Sequence, residues 1–331
     1  MAKRDIIEEV TEADSRPQDR SDQNLIKSLR KQIAARDELI DQQNARIERL
    51  GKDRFVIPSQ KSRRKTKGGF VRAIIPDTHG CFVDPTALGA MLSDLQLLAP
   101  KEIVLLGDHL DCGGFLAQHH TLGYVAEADY TFEDDVDAAN DMLDKVQSIC
   151  PNADMHYLEG NHEQRIEKWC VTQALRNKQD AAKLLGVFGT ETQLHLKQRK
   201  IAFYKQGQFY HGCRIPSTIK LGKCYFTHGS RVGRNATQAM LGDYAACVVF
   251  GHVHKIQSAS SRTVEGGEIG AWTPGCLCRL QPLWRHTSIT DWSHGYGVQL
   301  VRPDGDFLHI TVPIIEGKSY LLNLTSMIKS K

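Results

Sequence analysis

Apolar residues form two kinds of grouping along the 331-residue chain. Short apolar runs, of which Phe70–Ile75 is the first, predict buried strands. Segments with apolar residues three or four positions apart predict helices over 85–98 and 132–149, and two helices within 163–185. The other predicted strands are Glu102–Leu106, Met155–Leu158, Cys224–Thr227, Cys247–Phe250, Gly297–Val301 and Phe307–Val312. Strand–helix alternation that gives way to strands and turns after residue 265 predicts a layered α/β sandwich.

The N-terminal part has a different pattern. Residues 1–20 have no hydrophobic period, and we expect them to be disordered. Residues 21–50 predict an amphipathic, coiled-coil-like helix. Within 22–50, isoleucine recurs every seven residues with leucine at two matching positions, namely Ile26, Ile33, Ile40 and Ile47 with Leu29 and Leu50. Arg36 and Gln43 interrupt this apolar stripe, so three interpretations stay open: self-association into a homo-oligomer, packing on the catalytic domain, or docking of another protein.

A basic linker is predicted over 51–69, before a catalytic domain that spans 70–331. Residues 51–68 contain seven Lys or Arg residues against one acidic residue, whereas the whole chain has a net charge of only +3. Such a segment could bind the phosphates of nucleic acid, or it could be a solvated linker that charge repulsion keeps extended.

Composition narrows the protein class. No apolar run approaches the roughly 20 residues that span a bilayer, and the first residues do not resemble a secretory signal. Nine cysteines without regular clustering do not indicate a disulfide framework. Cys276 and Cys278 lack a second pair at zinc-finger spacing and are interpreted as buried strand residues. We therefore expect a cytoplasmic protein that does not contact a membrane.

Five short polar motifs follow predicted strands. They are Asp77-Thr78-His79, Gly107-Asp108-His109-Leu110-Asp111, Gly160-Asn161-His162-Glu163, His228-Gly229 and Gly251-His252-Val253-His254. Each offers oxygen or nitrogen atoms that can bind a metal ion. Because ligands in open α/β sheets bind at the carboxyl ends of the strands, we expect the five motifs to converge.

This ordered set resembles the calcineurin-like metallophosphoesterase superfamily, whose motifs are D-x-H, G-D-x-x-D, G-N-H-[DE], H and G-H-x-H. The match runs from Asp77 to His254, over 178 residues, and every motif residue is present. The resemblance implies a four-layer αββα sandwich, here preceded by the N-terminal helix. The segment from Gly275 to Tyr296 also resembles phosphoesterases carried by bacteriophages and prophages.

The resemblance further implies a site for two divalent metal ions. Asp108 would bridge them. The first ion would be held by Asp77, His79 and His254, and the second by Asn161, His228 and His252. Mn²⁺ is the working choice, while Fe, Zn, Co and Ni also suit mixed nitrogen and oxygen ligands.

The roles that surround these ions follow from the same resemblance. A water held between two cations is the expected nucleophile for in-line attack on phosphorus. His162 would be the general acid, and Asp111 and Glu163 would orient histidine ligands or loops. Arg231 and Arg234 could bind a substrate phosphate, although surface charge explains them equally well.

The substrate class is less determined than the site. The Arg that protein phosphatases place after G-D-x-x-D is replaced by Cys112-Gly113-Gly114. We therefore expect a phosphodiesterase or nuclease that acts on nucleic acid or nucleotides. The alternatives are a phosphomonoesterase, for small molecules or proteins, and a catalytically silent scaffold of the same fold.

Overall fold

A computed structural model describes residues 20–52, 57–60, 68–112, 131–210, 213–215, 217–264, 267–282 and 289–321. Residues 1–19 of the predicted disordered segment and most of the basic linker lie outside these ranges, whereas Arg20 is helical. None of the helices in the described ranges is long and apolar enough to cross a membrane.

The N-terminal residues form one long helix, α1, which spans Arg20–Lys52 and belongs to a different compact unit from the sheets. Leu29, Ile33 and Ile40 on this helix are 47 %, 59 % and 46 % exposed. The predicted N-terminal helix is therefore confirmed, with a stripe of apolar side chains on its surface. Its role in self-association stays a prediction.

The second unit contains the remaining helices and strands. Its helices are α2 Pro85–Leu98, α3 Phe132–Ile149, α4 Gln164–Gln173, α5 Lys178–Phe188, α6 Thr190–Gln193 and α7 Ala236–Tyr244. Its strands are β1 Ser59–Gln60, β2 Phe70–Ile75, β3 Glu102–Leu105, β4 Asp154–Leu158, β5 Ala202–Tyr204, β6 Gln208–Tyr210, β7 Cys213–Ile215, β8 Thr218–Leu221, β9 Cys224–Thr227, β10 Cys247–Phe250, β11 Ile256–Arg262, β12 Glu268–Pro274, β13 Gly295–Val301, β14 Phe307–Ile315 and β15 Lys318–Ser319.

Two large sheets organise this unit. The first sheet has the strand order β15-β14-β13-β2-β3-β4-β5, in which β2, β3, β4 and β5 are parallel. The second sheet has the order β1-β8-β9-β10-β12-β11, in which β9, β10 and β12 are parallel. Neighbouring parallel strands end at the same edge of a sheet. The loops that follow the central strands of each sheet therefore lie together at that edge.

Three apolar clusters define four layers. Between the two sheets, Ile74 and Val104 from the first sheet pack with Phe226 and Val249 from the second. The opposite face of the first sheet packs against α2 and α3, and the opposite face of the second sheet packs against α7. The order is therefore helix, sheet, sheet, helix, and the predicted αββα sandwich is confirmed.

Local sequence signals explain how the best-predicted helices begin. Asp84 precedes α2, and its carboxylate accepts hydrogen bonds from the backbone N–H groups of Thr86 and Ala87. Thr131 and Asp134 form a reciprocal capping box at the start of α3. Both helices have the predicted boundaries, 85–98 and 132–149.

Candidate metal centre

All five motifs meet where the two sheets present the carboxyl ends of their central strands. Asp77 and His79 follow β2, Asp108 follows β3 and His162 follows β4, all in the first sheet. From the second sheet, His228 follows β9, while His252 and His254 follow β10. The convergence expected from the sequence is present in the structure.

A first group of ligand atoms lies around the His254 ring. Its Nε2 atom is 3.1 Å from the Nε2 atom of His79 and 3.1 Å from Oδ2 of Asp77. All three residues are buried. These are the three residues that the resemblance assigns to the first ion.

A second group surrounds His228. Its Nε2 atom lies 2.9 Å from Oδ1 of Asn161, 3.2 Å from Nδ1 of His252 and 3.1 Å from Oδ2 of Asp108. These distances bring together the residues that the resemblance assigns to the second ion.

Asp108 belongs to both groups. Its carboxylate, together with Asp77 and His79, forms a set of ligand atoms within 4.8 Å of one another, and it does the same with His228 and His252. A carboxylate has two oxygens and can bind two cations at once. The position of Asp108 therefore suits a bridging ligand.

The short distances between these ligand atoms are explained better by bound cations than by hydrogen bonds alone. An imidazole nitrogen carries at most one proton, so Nε2 of His228 cannot donate to three neighbouring atoms. Nε2 of His79 faces Nε2 of His254, while the Nδ1 atom of His79 is already 3.0 Å from Oδ1 of Asp111. Lone pairs directed at common points are satisfied by a divalent ion.

The electrostatics of the pocket also favour a cation. Burial opposes charge on His228, but the neighbouring Asp108 and Asp77 carboxylates outweigh it and raise the pKa of His228 to about 10. Burial likewise opposes charge on Asp77, yet the hydrogen bond with His254 helps to lower its pKa to about 2. The buried carboxylates thus attract positive charge, which a metal ion can supply in place of a proton.

The opposite ring nitrogens hold the histidines in orientation. Nδ1 of His228 donates to the carbonyl oxygen of Leu106 at 2.9 Å. Nδ1 of His254 lies 3.9 Å from the sulfur of Cys278. A partner on Nδ1 leaves Nε2 free to bind a metal ion. Cys276 and Cys278 are buried as expected, but the contact between Cys278 and His254 was not predicted.

His162 stands beside the metal centre with two partners. Its Nδ1 atom donates to the carbonyl oxygen of Asp111 at 2.6 Å, and its Nε2 atom is 3.9 Å from Oδ2 of Asp108. Burial alone would lower the pKa of His162, but the charges of Asp108 and Asp111 raise it. His162 is therefore biased toward carrying a proton.

Arg165 is a residue that sequence reasoning missed. Its guanidinium donates to the Asp111 carbonyl oxygen at 2.9 Å, and one of its nitrogens lies 3.1 Å from Nε2 of His162. Arg165 lies three positions after His162, at the start of α4, so the G-N-H-E-x-R spacing was the available signal. It places a positive charge next to the expected general acid.

Two buried carboxylates hold the loop that carries Asp108. Glu163 accepts hydrogen bonds from the backbone N–H groups of Asp108, His109, Leu110 and Gly160 at 2.8 to 3.2 Å. Asp135 accepts from the N–H groups of Asp111 and Cys112 at 3.0 and 2.9 Å. The structure therefore places Glu163 where it orients a loop. The contribution of Asp135 has no motif in the sequence and was missed.

Four residues of the site loops adopt the left-handed backbone conformation, which is uncommon for residues other than glycine. His79, Asp108, His252 and His254 have positive φ values of 52°, 50°, 70° and 57°. Non-glycine residues in this region carry strain, which concentrates at functional sites. Gly160 allows close packing here, since a Cβ atom on it would lie 2.1 Å from Oδ1 of Asp108.

Arg231 and Arg234 lie on the surface after His228. The guanidinium of Arg231 donates to both carboxylate oxygens of Asp243 at 2.7 and 2.8 Å. Its charge is thus already paired with a residue of α7. Contact of either arginine with substrate stays a prediction.

Comparison with known proteins found matches among solved structures. No protein-family model and no curated protein sequence matches the chain. Among solved structures it is similar to YfcE, a phosphoesterase from E. coli, with 15 % identity, 73 % coverage of this chain, 98 % coverage of that chain and a TM-score of 0.33.

Two further structures show the same level of similarity. Vacuolar protein sorting 29 from Cryptosporidium parvum is 11 % identical over 76 % of this chain and 95 % of its own, with a TM-score of 0.38. A hypothetical protein from Pyrococcus horikoshii OT3 is 12 % identical over 78 % and 92 %, with a TM-score of 0.37. The order of this chain's motifs and its four layers resemble those of the calcineurin-like metallophosphoesterases.

Proposed function

We propose that this chain is a phosphoric ester hydrolase that uses two divalent metal ions and acts on phosphodiesters. The observation that carries the proposal is the position of the buried Asp108 carboxylate, which belongs to both groups of ligand atoms. All seven ligand residues named from the sequence lie close together, which supports an enzyme over the alternative of a silent scaffold, in which ligands would be missing.

The two ions would be held as the distances indicate. Asp77, His79 and His254 would bind the first, Asn161, His228 and His252 the second, and Asp108 both. When bound, such ions supply charge that acidifies a water nucleophile and holds phosphoryl oxygens for in-line displacement. The ligands are nitrogen and oxygen atoms, which accept Mn, Fe, Zn, Co and Ni. Mn²⁺ is the ion we would use first in the assays.

His162 would deliver the proton that the leaving oxygen needs. The Asp111 carbonyl oxygen accepts from Nδ1 and thereby fixes the ring with Nε2 toward the metal centre. The raised pKa of His162 keeps this second nitrogen protonated over more of the neutral pH range. An alkoxide leaves poorly at neutral pH, so a nucleotide-type diester with an alkoxide leaving group needs this proton, whereas a p-nitrophenyl ester needs it less.

Arg165 would bind a non-bridging phosphoryl oxygen. Its guanidinium lies within hydrogen-bond distance of His162, beside the position where a scissile phosphate would sit. The sequence lacks the Arg that protein phosphatases have after G-D-x-x-D, but α4 supplies one from another direction. A positive charge is therefore present for either ester class, and the preference for diesters rests on His162.

The test compares the two ester classes directly. We expect kcat/KM of the Mn²⁺-loaded protein to be higher for bis-p-nitrophenyl phosphate than for p-nitrophenyl phosphate, and His162→Ala to lower both values. A tenfold preference for the monoester, worth about 1.4 kcal/mol of transition-state free energy, would support the phosphomonoesterase alternative.

Nucleotides and nucleic acid are the diesters proposed from the sequence. Of the seven basic residues in 51–68 that suggested nucleic acid, all except Lys52 lie outside the described residues. Their contact with a polynucleotide stays a prediction. The residues that line the groove beside the metal centre are among the described ones, so they bear more directly on the substrate class.

A further inference from the structure

The two groups of ligands differ in what surrounds them. Asn161, His228 and His252 of the second group line a groove of about 480 Å³. The first group instead lies against two short segments, 276–278 and 292–294, which we call the clamp. The clamp is separate from the five motifs, so the motif pattern does not imply any role for it in holding the first ion.

Backbone hydrogen bonds fasten the clamp to two ligands of the first group. The N–H of Cys276 donates to the carbonyl oxygen of Ser293 at 3.0 Å, which joins the two segments of the clamp. The N–H of Leu277 donates to the carbonyl oxygen of Asp77 at 2.8 Å. The N–H of Ser293 donates to the carbonyl oxygen of His254 at 2.9 Å. These hydrogen bonds fix the position of the clamp relative to the first group of ligands.

Trp292 of the clamp packs directly against the ring of His254. The centroids of the two rings are 4.1 Å apart, and their planes meet at 78°. Aromatic rings prefer such an edge-to-face arrangement over a parallel sandwich. The ring of His79 also contacts His254 edge to face, with a centroid distance of 4.9 Å. The His254 ring therefore contacts two other rings, and its rotation would disrupt both contacts.

The polar contact that orients His254 is weaker than those that orient His79 and His228. Nδ1 of His79 lies 3.0 Å from a carboxylate oxygen of Asp111, and Nδ1 of His228 donates to a carbonyl oxygen at 2.9 Å. The neighbour of Nδ1 in His254 is the sulfur of Cys278, at 3.9 Å. Because a thiol is a weak hydrogen-bonding group, packing against Trp292 is the contact best suited to orient this ring.

We infer that Trp292 is a positioning residue, which holds the His254 ring with Nε2 toward Asp77 and His79 and thereby strengthens binding of the first metal ion. This inference rests on the proposed function, because it requires a metal ion at His254. Partners that orient a histidine ligand commonly change metal affinity about 10–100-fold. We therefore expect Trp292→Ala to weaken Mn²⁺ binding at one of the two sites about tenfold, or about 1.4 kcal/mol.

A double-mutant cycle tests whether Trp292 acts through His254. Mn²⁺ binding to the full chain is measured for the wild type, Trp292→Ala, His254→Ala and the double variant, from the electron paramagnetic resonance signal of free Mn²⁺. Trp292→Ala should lower the affinity about tenfold when His254 is present, but less than about twofold when His254 is already alanine. An equal loss in both backgrounds would overturn the inference, because it would show a general effect on the fold.

Trp292→Phe provides a second variant in case alanine disturbs folding, because it keeps an aromatic ring beside His254. Its Mn²⁺ affinity should stay within about threefold of the wild-type value. Bound Mn²⁺ is paramagnetic and should quench the fluorescence of Trp292, so quenching should be smaller in this variant than in the wild type. Equal quenching, or a tenfold loss of affinity in Trp292→Phe, would contradict the inference.

Trp169→Ala is the matched control. Trp169 makes the same kind of edge-to-face contact, with Phe188 at a centroid distance of 5.3 Å, and neither residue is a ligand. Its replacement should leave Mn²⁺ affinity unchanged, and a loss equal to that of Trp292→Ala would contradict a specific role for Trp292. A wild-type chain that binds no Mn²⁺ would reject the proposed function, whereas two bound ions with equal affinities in the wild type and Trp292→Ala would reject only the role of Trp292.

Discussion

The Asp111 carboxylate connects a metal ligand to the expected general acid, so its replacement should produce two separable defects. Its Oδ1 atom is 3.0 Å from Nδ1 of His79 and 3.3 Å from Nδ1 of His162. Asp111→Asn keeps the size but removes the charge that orients both rings. Loss of such a partner commonly lowers metal affinity about 10–100-fold, or roughly 1.4–2.7 kcal/mol.

The second defect should remain when metal is saturating. General acids contribute about 10²–10⁴-fold, and loss of the negative charge that helps to keep His162 protonated should cost at least part of this, so we expect kcat to fall about 10-fold or more. The assay strips the protein with a chelator, titrates Mn²⁺ and records both half-saturation and maximal hydrolysis of bis-p-nitrophenyl phosphate. Asp137→Asn, at an exposed position of α3, is the control. Wild-type half-saturation and kcat in Asp111→Asn would refute the reasoning.

Further predictions concern Arg165, Glu102 and the N-terminal helix. Arg165→Gln should raise KM for bis-p-nitrophenyl phosphate and weaken inhibition by inorganic phosphate, each about tenfold. This is the effect expected when a charge-assisted contact with a phosphoryl oxygen, worth about 1.4 kcal/mol, is lost. Lys168→Gln, at an exposed position, is the control and should change neither value. Glu102 pairs with the buried Arg72, so Glu102→Ala should lower the free energy of unfolding by about 3–5 kcal/mol in urea titrations; a loss below 1 kcal/mol would contradict this. Burial opposes the charge of Glu102, but its contacts with His156 and Arg72 lower its pKa below the ordinary value of 4.5. The ionised Glu102 side chain should therefore stabilise the fold fully above pH 4.5, and this stabilisation should be lost as the pH falls through the lower pKa of the folded state. Unfolding curves measured at a series of pH values should show this loss for the wild type but not for Glu102→Ala. Deletion of residues 1–50 should convert an oligomer to a monomer in light scattering without loss of hydrolysis, and a monomeric full-length chain would refute self-association through the helix.

The sequence was informative where the signal is local. Phe70–Ile75 is an apolar run and forms β2, and the heptad region forms α1. The motif residues were found because each is polar and follows a strand. By contrast, β11 has the sequence Ile-Gln-Ser-Ala-Ser-Ser-Arg, whose small polar residues give no clear alternation, and it was missed. Helix α7 was missed for the same reason, because its apolar residues do not form a clear stripe.

Contacts between distant segments could not be predicted from one sequence. Asp135 binds the loop after β3 through backbone N–H groups 23 and 24 residues earlier in the chain, and such contacts leave no motif. The approach of Cys278 to His254 depends on a turn after β12. The groove is similarly hidden, because its walls come from β8, α4 and α7, which only the folded chain brings together.

The most direct test of the dinuclear account is a Mn²⁺ titration of metal-free protein in which bound ions are counted while hydrolysis of bis-p-nitrophenyl phosphate is recorded. The account predicts no hydrolysis without metal, full activity only when two ions are bound, and loss of the second ion and of activity in Asp108→Asn with the fold retained by circular dichroism. Hydrolysis that persists in excess chelator, or an Asp108→Asn variant that binds two ions and hydrolyses at the wild-type rate, would contradict it.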